Sequence, residues 1–214
     1  MYMRIGVLGS GIVAQTLAVG FKSKGHDVVV GTSNPTKLAD WSREEGIGIR
    51  SFAETAEFAA LLILAVKGSA AMAVLRAAGP QRMLGKTVID ATNPVADAPP
   101  VNGVMPFFTG PNESLLELIQ AEFQDVHFVK ALNSVGYLHF IDPKFDGGPP
   151  TMFIAGNEPK AKVEVRGLLA QIGWETTDMG AAEAARAIEP LCMLWCIPGF
   201  SRNEWMHAFK LLKT

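Results

Sequence analysis

Residues 3–37, MRIGVLGSGIVAQTLAVGFKSKGHDVVVGTSNPTK, decide the fold of this chain. The stretch opens on a β-rich run, Arg4 to Leu8, which ends in Gly9-Ser10-Gly11-Ile12-Val13-Ala14. Each small residue there has a separate task. Gly9 permits a tight strand-to-helix turn, Gly11 lets backbone approach a diphosphate, and Ala14 lets the following helix lie close to the strand. The spacing predicts that helix over 12–24. Its first amides lack intrahelical partners and stand at the positive end of the dipole, so with Ile12 and Val13 they suit an anion. Ser10 can add a hydroxyl. Gly25-His26-Asp27 then leads into a second strand, Val28-Val29-Val30. A lone GxGxxA turn carries little weight, but a complete strand–helix–strand unit around it reads as a dinucleotide site.

The end of the second strand tells which dinucleotide. A site for NAD carries Asp or Glu about 20 residues beyond the glycines, to bind ribose hydroxyls. Here Gly31-Thr32-Ser33-Asn34 stands in that place, followed by Lys37. No carboxylate is present to repel a phosphate. Three short polar side chains and one ammonium can receive a 2'-phosphate by hydrogen bonding and charge. The same residues also read as a helix start, with Ser33 or Asn34 as N-cap and Pro35 in the first turn. Both readings can hold together, since a helix N-terminus is itself a phosphate site. NADP(H) is the expected cofactor.

Composition narrows the class. Of 214 residues, 49% are apolar and 19% charged, a globular balance with core enough for one domain. The expected division is a nucleotide-binding unit over 1–180 and a helical C-terminal extension over 181–214. A net charge of −2 argues against nucleic acid or a basic membrane face as partner. The longest apolar run, 58–66, is too short to span a bilayer. Met1 stands directly before the first strand, which leaves no room for a signal peptide, so a cytoplasmic protein is expected. Cys192 and Cys196 share one face of an apolar helical segment and read as buried thiols; no metal is expected.

Beyond Lys37 the pattern alternates. A helical stretch over 38–45 ends at Gly46, a short strand fits 47–52 and a short helix 53–60. Residues 61–66, LLILAV, are unbroken apolar sequence, as suits a central parallel strand covered on both faces. A helix over 70–78 and a strand over 86–91 follow. This is the signature of an α/β, Rossmann-type, doubly wound and mainly parallel sheet with helices on both faces. Ligands in such sheets lie outside the carboxyl ends of the strands, so Val66, Lys67, Asn93 and Pro94 are candidates for the nicotinamide end of the cofactor. The bland alternative is a solvated Lys67 and a simple turn at Asn93-Pro94. Residues 95–111 show no period and carry four prolines, but Val104, Met105, Phe107 and Phe108 point to an ordered loop that shapes an apolar pocket. Asn112 is the expected cap of a helix over 113–123. A sixth strand over 127–132 delivers Asn133-Ser134-Val135-Gly136-Tyr137 to the same cleft. A further strand over 151–155, a helix over 158–172 capped by Asn157, and a last strand over 174–177 follow. Residues 183–212 are helical in character with a break at Pro198-Gly199. Their large apolar groups fit ordinary core, a pocket wall or a homodimer surface.

The unit from Gly9 to Lys37, with Ala131-Leu132-Asn133 and the segment AARAIEPL at 184–191, resembles the family of NADP oxidoreductases dependent on the deazaflavin coenzyme F420. Predicted small dinucleotide-binding reductases are relatives of that family, and the cytosolic domain of membrane ferric reductases is similar. The resemblance covers essentially the full chain and is most specific at the N-terminus and at Glu189-Pro190-Leu191. It implies that Ser10, Gly11, Ile12 and Val13 hold the diphosphate. It also implies that the family's Ser-Arg pair and downstream Lys fall on Thr32, Ser33 and Lys37. The arginine is absent, with Ser33 in its place and Asn34 next, which weakens a preference for NADP without reversing it. Contacts to the nicotinamide end are implied near Val66, Asn93 and Ala131. The segment 133–137 departs from the family's pattern, so the resemblance leaves the second substrate open.

Hydride transfer from nicotinamide to a stacked ring such as a flavin or F420 asks the protein mainly for proximity, orientation and exclusion of water. A carbonyl or imine substrate would also require a proton donor. Tyr137, His139 and Lys130 are the candidates, each with a purely structural reading beside it. A third alternative is a non-enzymatic NADP(H)-sensing protein.

Overall fold

The computed structural model describes residues 2–214; Met1, on which the leader expectation rests, lies outside the described residues. The chain runs β1 (Arg4–Leu8), α1 (Ile12–Ser23), β2 (Asp27–Gly31), α2 (Ala39–Glu45), β3 (Gly48–Arg50), α3 (Phe52–Phe58), β4 (Leu61–Leu64), α4 (Ala71–Ala78), α5 (Pro80–Met83) and β5 (Thr87–Asp90). After the long loop come α6 (Leu115–Glu122), β6 (His127–Lys130), β7 (Thr151–Ile154), α7 (Pro159–Gln171), β8 (Glu175–Asp178) and α8 (Ala185–Arg202). Six strands form one parallel sheet in the order β3-β2-β1-β4-β5-β6. β1 and β4 are neighbours whose following helices depart to opposite faces, so a crevice opens at their carboxyl ends.

Alternation along the strands builds a core on each face. Leu61 and Ile63 of β4 join Leu17 and Phe21 of α1 and Leu168 of α7. Leu62 and Leu64 join Val74 and Leu75 of α4, Leu116 and Ile119 of α6, and Ile188 of α8. Each such fully buried aliphatic side chain contributes about 1.5–3 kcal/mol.

Two local expectations are corrected. Ser114 rather than Asn112 caps α6: its hydroxyl accepts from the Glu117 amide at 3.2 Å and donates to the Glu117 carboxylate at 2.7 Å. Serine followed three residues later by glutamate satisfies two groups at once, which Asn112 cannot do from farther out. Glu158 caps α7 by accepting from the Lys160 amide at 3.1 Å, while Asn157 turns away and accepts from the Ala182 amide at 2.9 Å. The last two strands form a separate parallel pair, β7-β8, joined to β6 only through the bridge between Lys130 and Ala155.

The C-terminus departs furthest from expectation. α8 passes Pro190 and Pro198 without a break and ends at Arg202, with Asn203 after it at φ +57°. Residues 203–214 form no helix. They fold back over α8: the Trp195 indole donates to the His207 carbonyl at 2.8 Å, and the Thr151 amide of β7 donates to the Phe209 carbonyl at 2.9 Å. Gly199 ends no helix; it makes room for Trp205, whose ring would overlap any Cβ at that position. No helix among the described residues is long and apolar enough to cross a membrane.

Candidate functional site

The turn after β1 is built around Gly9. Its φ is +142°, a region that L side chains rarely adopt, and a Cβ there would overlap the Ala65 carbonyl oxygen. The Gly9 amide donates to the Gly31 carbonyl at 2.9 Å, which ties the ends of β1 and β2 together. Gly11 is the N-cap of α1 in extended conformation, with no side chain capping the helix and no acidic residue in its first turn. A Cβ at Gly11 would meet nothing within 4 Å, and the start of α1 borders open space. Unpartnered N–H groups at the positive end of a helix dipole, beside room for a ligand, fit a diphosphate.

That open space is a cavity of about 860 Å³ between the ends of β1, β4 and β5. It brings together Ser10, Gly11, Ile12, Val13, Val66, Lys67 and Asn93 from among the residues selected by sequence. Gly68, Ala91, Thr92 and loop residues Val95 to Pro99 complete the wall. Lys67 and Asp97 face each other at 3.5 Å, both largely exposed. The loop over 95–111 does shape the cavity as expected, but through Val95 to Pro99 rather than through Val104, Met105, Phe107 and Phe108, since a loop without period gives no sign of which of its residues fold over a cleft.

The remaining selected residues lie outside this lining. Gly9 and the buried Pro94 shape the backbone beneath it. Thr32 is buried at the end of β2, where its hydroxyl accepts from the Asn34 amide at 3.1 Å. Ser33, Asn34 and Lys37 are exposed around a 3₁₀ turn over Pro35–Leu38, and no acidic side chain occurs between Gly31 and Leu38. Ala131 is fully buried. Asn133 is buried and paired with Asn93: the Asn93 amide donates to the Asn133 carbonyl at 2.8 Å, and Asn133 donates to the Asn93 side-chain oxygen at 3.1 Å and the Ile188 carbonyl at 3.0 Å. The pair links β5, β6 and α8 at the edge of the cleft.

None of the three proton-donor candidates lines the cavity. Tyr137 is exposed in a 3₁₀ turn. His139 is buried against the Phe145 ring, 5.1 Å between centroids. Lys130 has no exposed surface and sits 2.6 Å from Asp90 and 2.8 Å from Glu189. Burial alone would lower its pKa, but the two carboxylates outweigh burial and hold the ammonium above its ordinary value. In the sequence, Asp90 and Glu189 are acids embedded in apolar segments, which marks each as a buried charge but not as a partner of Lys130. Cys196 is buried and Cys192 half-buried on α8.

A family profile described as NADP oxidoreductase coenzyme F420-dependent matches residues 4–94. Over its whole length the chain is similar to a solved structure from Arthrobacter sp. FB24, assigned there as an F420-dependent NADP-reductase. The two are 31% identical with a TM-score of 0.92, and the match covers 99% of this chain and 100% of that one. The metalloreductase STEAP3 of Rattus norvegicus is 27% identical over 199 residues, which cover 91% of this chain; the chain spans 38% of that curated relative's length. An imine reductase from Aspergillus terreus shares the fold, with a TM-score of 0.68 at 17% identity over 94% of this chain and 63% of that one. By sequence and by fold, the chain belongs to the family of coenzyme F420-dependent NADP oxidoreductases.

Proposed function

We propose that this protein is an NADP(H)-dependent oxidoreductase that passes hydride between nicotinamide and a flavin-like or deazaflavin second substrate. The observation that carries the reading is the uncapped start of α1 facing an open crevice, beside a β2 end free of carboxylates. On this reading Ser10, Gly11, Ile12 and Val13 hold the diphosphate, and Thr32, Ser33, Asn34 and Lys37 receive the 2'-phosphate. Val66, Lys67, Asn93, Pro94, Ala131 and Asn133 form or back the nicotinamide end. The bound cofactor supplies the hydride; the chain supplies orientation and a wall against water through residues 95–99. Transfer between stacked rings asks for no side-chain acid at the reacting carbon, which suits a cavity that Tyr137, His139 and Lys130 do not reach.

In this reading residues 1–180 form the nucleotide-binding unit and 181–214 pack on it as one compact whole; of the pocket wall and dimer surface expected of that segment, the dimer surface is retained, because the cavity is lined by residues 10–99. A cytoplasmic homodimer completes the proposal. Its support is the exposed apolar set Val101, Val104 and Leu194, where the 101–104 turn meets α8.

Steady-state oxidation of NADPH with a panel of flavins, coenzyme F420 and ferric chelates tests the activity. Ferric chelates enter because a similar rat protein is a metalloreductase. Turnover with at least one ring acceptor is expected. Tight NADPH binding with no turnover would instead identify an NADP(H) sensor. The phosphate pocket has its own test: Lys37→Ala combined with Ser33→Asp removes a cation and adds an anion, and should move preference from NADPH towards NADH by tenfold or more, about 1.4 kcal/mol. Unchanged relative affinities would remove Lys37 and Ser33 from the pocket.

A further inference from the structure

Three charged side chains lie directly beneath the cavity wall, and their charges do not cancel. Lys130 ends β6, Asp90 ends β5, and Glu189 comes from α8; none is more than 2% exposed. With both carboxyls ionised, one ammonium faces two carboxylates and the cluster carries an excess negative charge. Glu189 also accepts from the Leu115 amide at 2.9 Å and the Leu116 amide at 3.0 Å, at the start of α6. A helix start offsets roughly half a charge at that end, which leaves the Asp90 side net negative. The nearby Cys192 thiol adds no charge, because its hydrogen bond to Cys196 and its burial hold it above its ordinary value.

The cluster is coupled to the cavity through one residue. Oδ1 of Asp90 accepts from the Thr92 amide at 2.9 Å and the Thr92 hydroxyl at 2.6 Å. Nζ of Lys130 donates to the Thr92 carbonyl at 2.9 Å. Thr92 lines the cavity between Ala91 and Asn93, the last of which is assigned above to the nicotinamide end. Among the described residues that line the cavity, the charged ones are Lys67 and Asp97, opposite in sign and exposed to water, which screens them. The buried cluster has no such screening.

An oxidised nicotinamide ring is cationic and a reduced one is neutral, so a buried negative charge behind the ring attracts only the first. We infer that the Asp90–Lys130–Glu189 cluster discriminates between the two redox states of the bound nicotinamide, favouring the oxidised form and making the reduced form a stronger hydride donor. The inference rests on the nicotinamide end lying against Ala91–Thr92–Asn93. Asp90 and Glu189 touch no ligand; they are positioning residues that act through Thr92 and through space.

Calorimetric titration of the whole protein with NADP+ and with NADPH tests it. The unaltered protein should bind NADP+ more tightly than NADPH, and the reverse order would overturn the inference. Glu189→Gln and Asp90→Asn each remove one negative charge from a different element while keeping shape. In each variant the ratio Kd(NADP+)/Kd(NADPH) should rise by about three- to tenfold. Both affinities falling by one common factor is what a merely structural role produces, and that result, like an unchanged or lowered ratio, would also overturn it. Failure of the unaltered protein to bind either nucleotide is a different result, and it removes the proposed cofactor site instead.

Discussion

At the scale of single residues, Gly9 and Lys130 show opposite relations to the sequence. Gly9 is legible because its constraint is local: the turn demands a backbone conformation that only glycine adopts freely, and Ala65 leaves no space for a Cβ. Gly9→Ala should therefore cost about 1–3 kcal/mol in backbone strain, before any clash, and abolish measurable NADPH binding. Urea unfolding and a nucleotide titration check the two effects separately; a variant as stable as the parent would refute the strain. Lys130 is legible only as a charged residue near a cleft. That it is sealed between Asp90 and Glu189 depends on partners 40 positions before it and 59 positions after it in the chain. Nothing local marks that pairing.

At the scale of elements, α6 and α8 illustrate how two helices are locked at their starts. Ser114 caps α6, Glu189 of α8 receives its first free amides, and Arg186 of α8 reaches Glu117 in its first turn with contacts of 3.0 and 3.1 Å through Nε. The hydrogen bond from Arg186 foremost, opposed by burial and helped by Ser114, holds the Glu117 carboxyl below its ordinary value. A carboxyl with a lowered folded value binds protons more weakly in the native state than in the unfolded one. Its contribution is therefore complete above the unfolded value of about 4.3 and fades as pH falls through the folded value. Arg186→Ala should lower the melting temperature slightly at pH 7, and the gap to the parent should close below about pH 4. A gap of equal size in acid would show that Arg186 acts through packing rather than charge.

At the scale of the whole molecule, the C-terminal tail joins parts that are distant in sequence. Residues 203–212 pass from Gly199 across Trp195 to Thr151, and Trp195 in turn packs on Gly136. α8 is therefore covered on one side by its own tail, while Leu194 remains 54% exposed on another. If Val101, Val104 and Leu194 form the proposed dimer face, light scattering coupled to size exclusion should give twice the chain mass. Leu194→Lys, which places an unpaired charge in that face, should then weaken dimerisation at least tenfold. A parent protein that elutes as a monomer would discard the dimer.

The parallel sheet and the position of its crevice are legible in the amino-acid order, because that information is local and periodic. Apolar runs such as LLIL set buried strands, Gly9 and Gly11 set the first turn, and the alternation of strand and helix leaves one favoured winding. The tertiary structure alone decided what depends on pairing between distant segments. That includes the separate β7-β8 pair, the passage of α8 through Pro198, the return of the tail, and the buried charge under Thr92. Pro198 could not announce that its helix would continue, since Trp205 packs on Gly199 only once the tail has folded back. Asp90, Lys130 and Glu189 could not announce one another, since charges become partners only when folding removes the water between them.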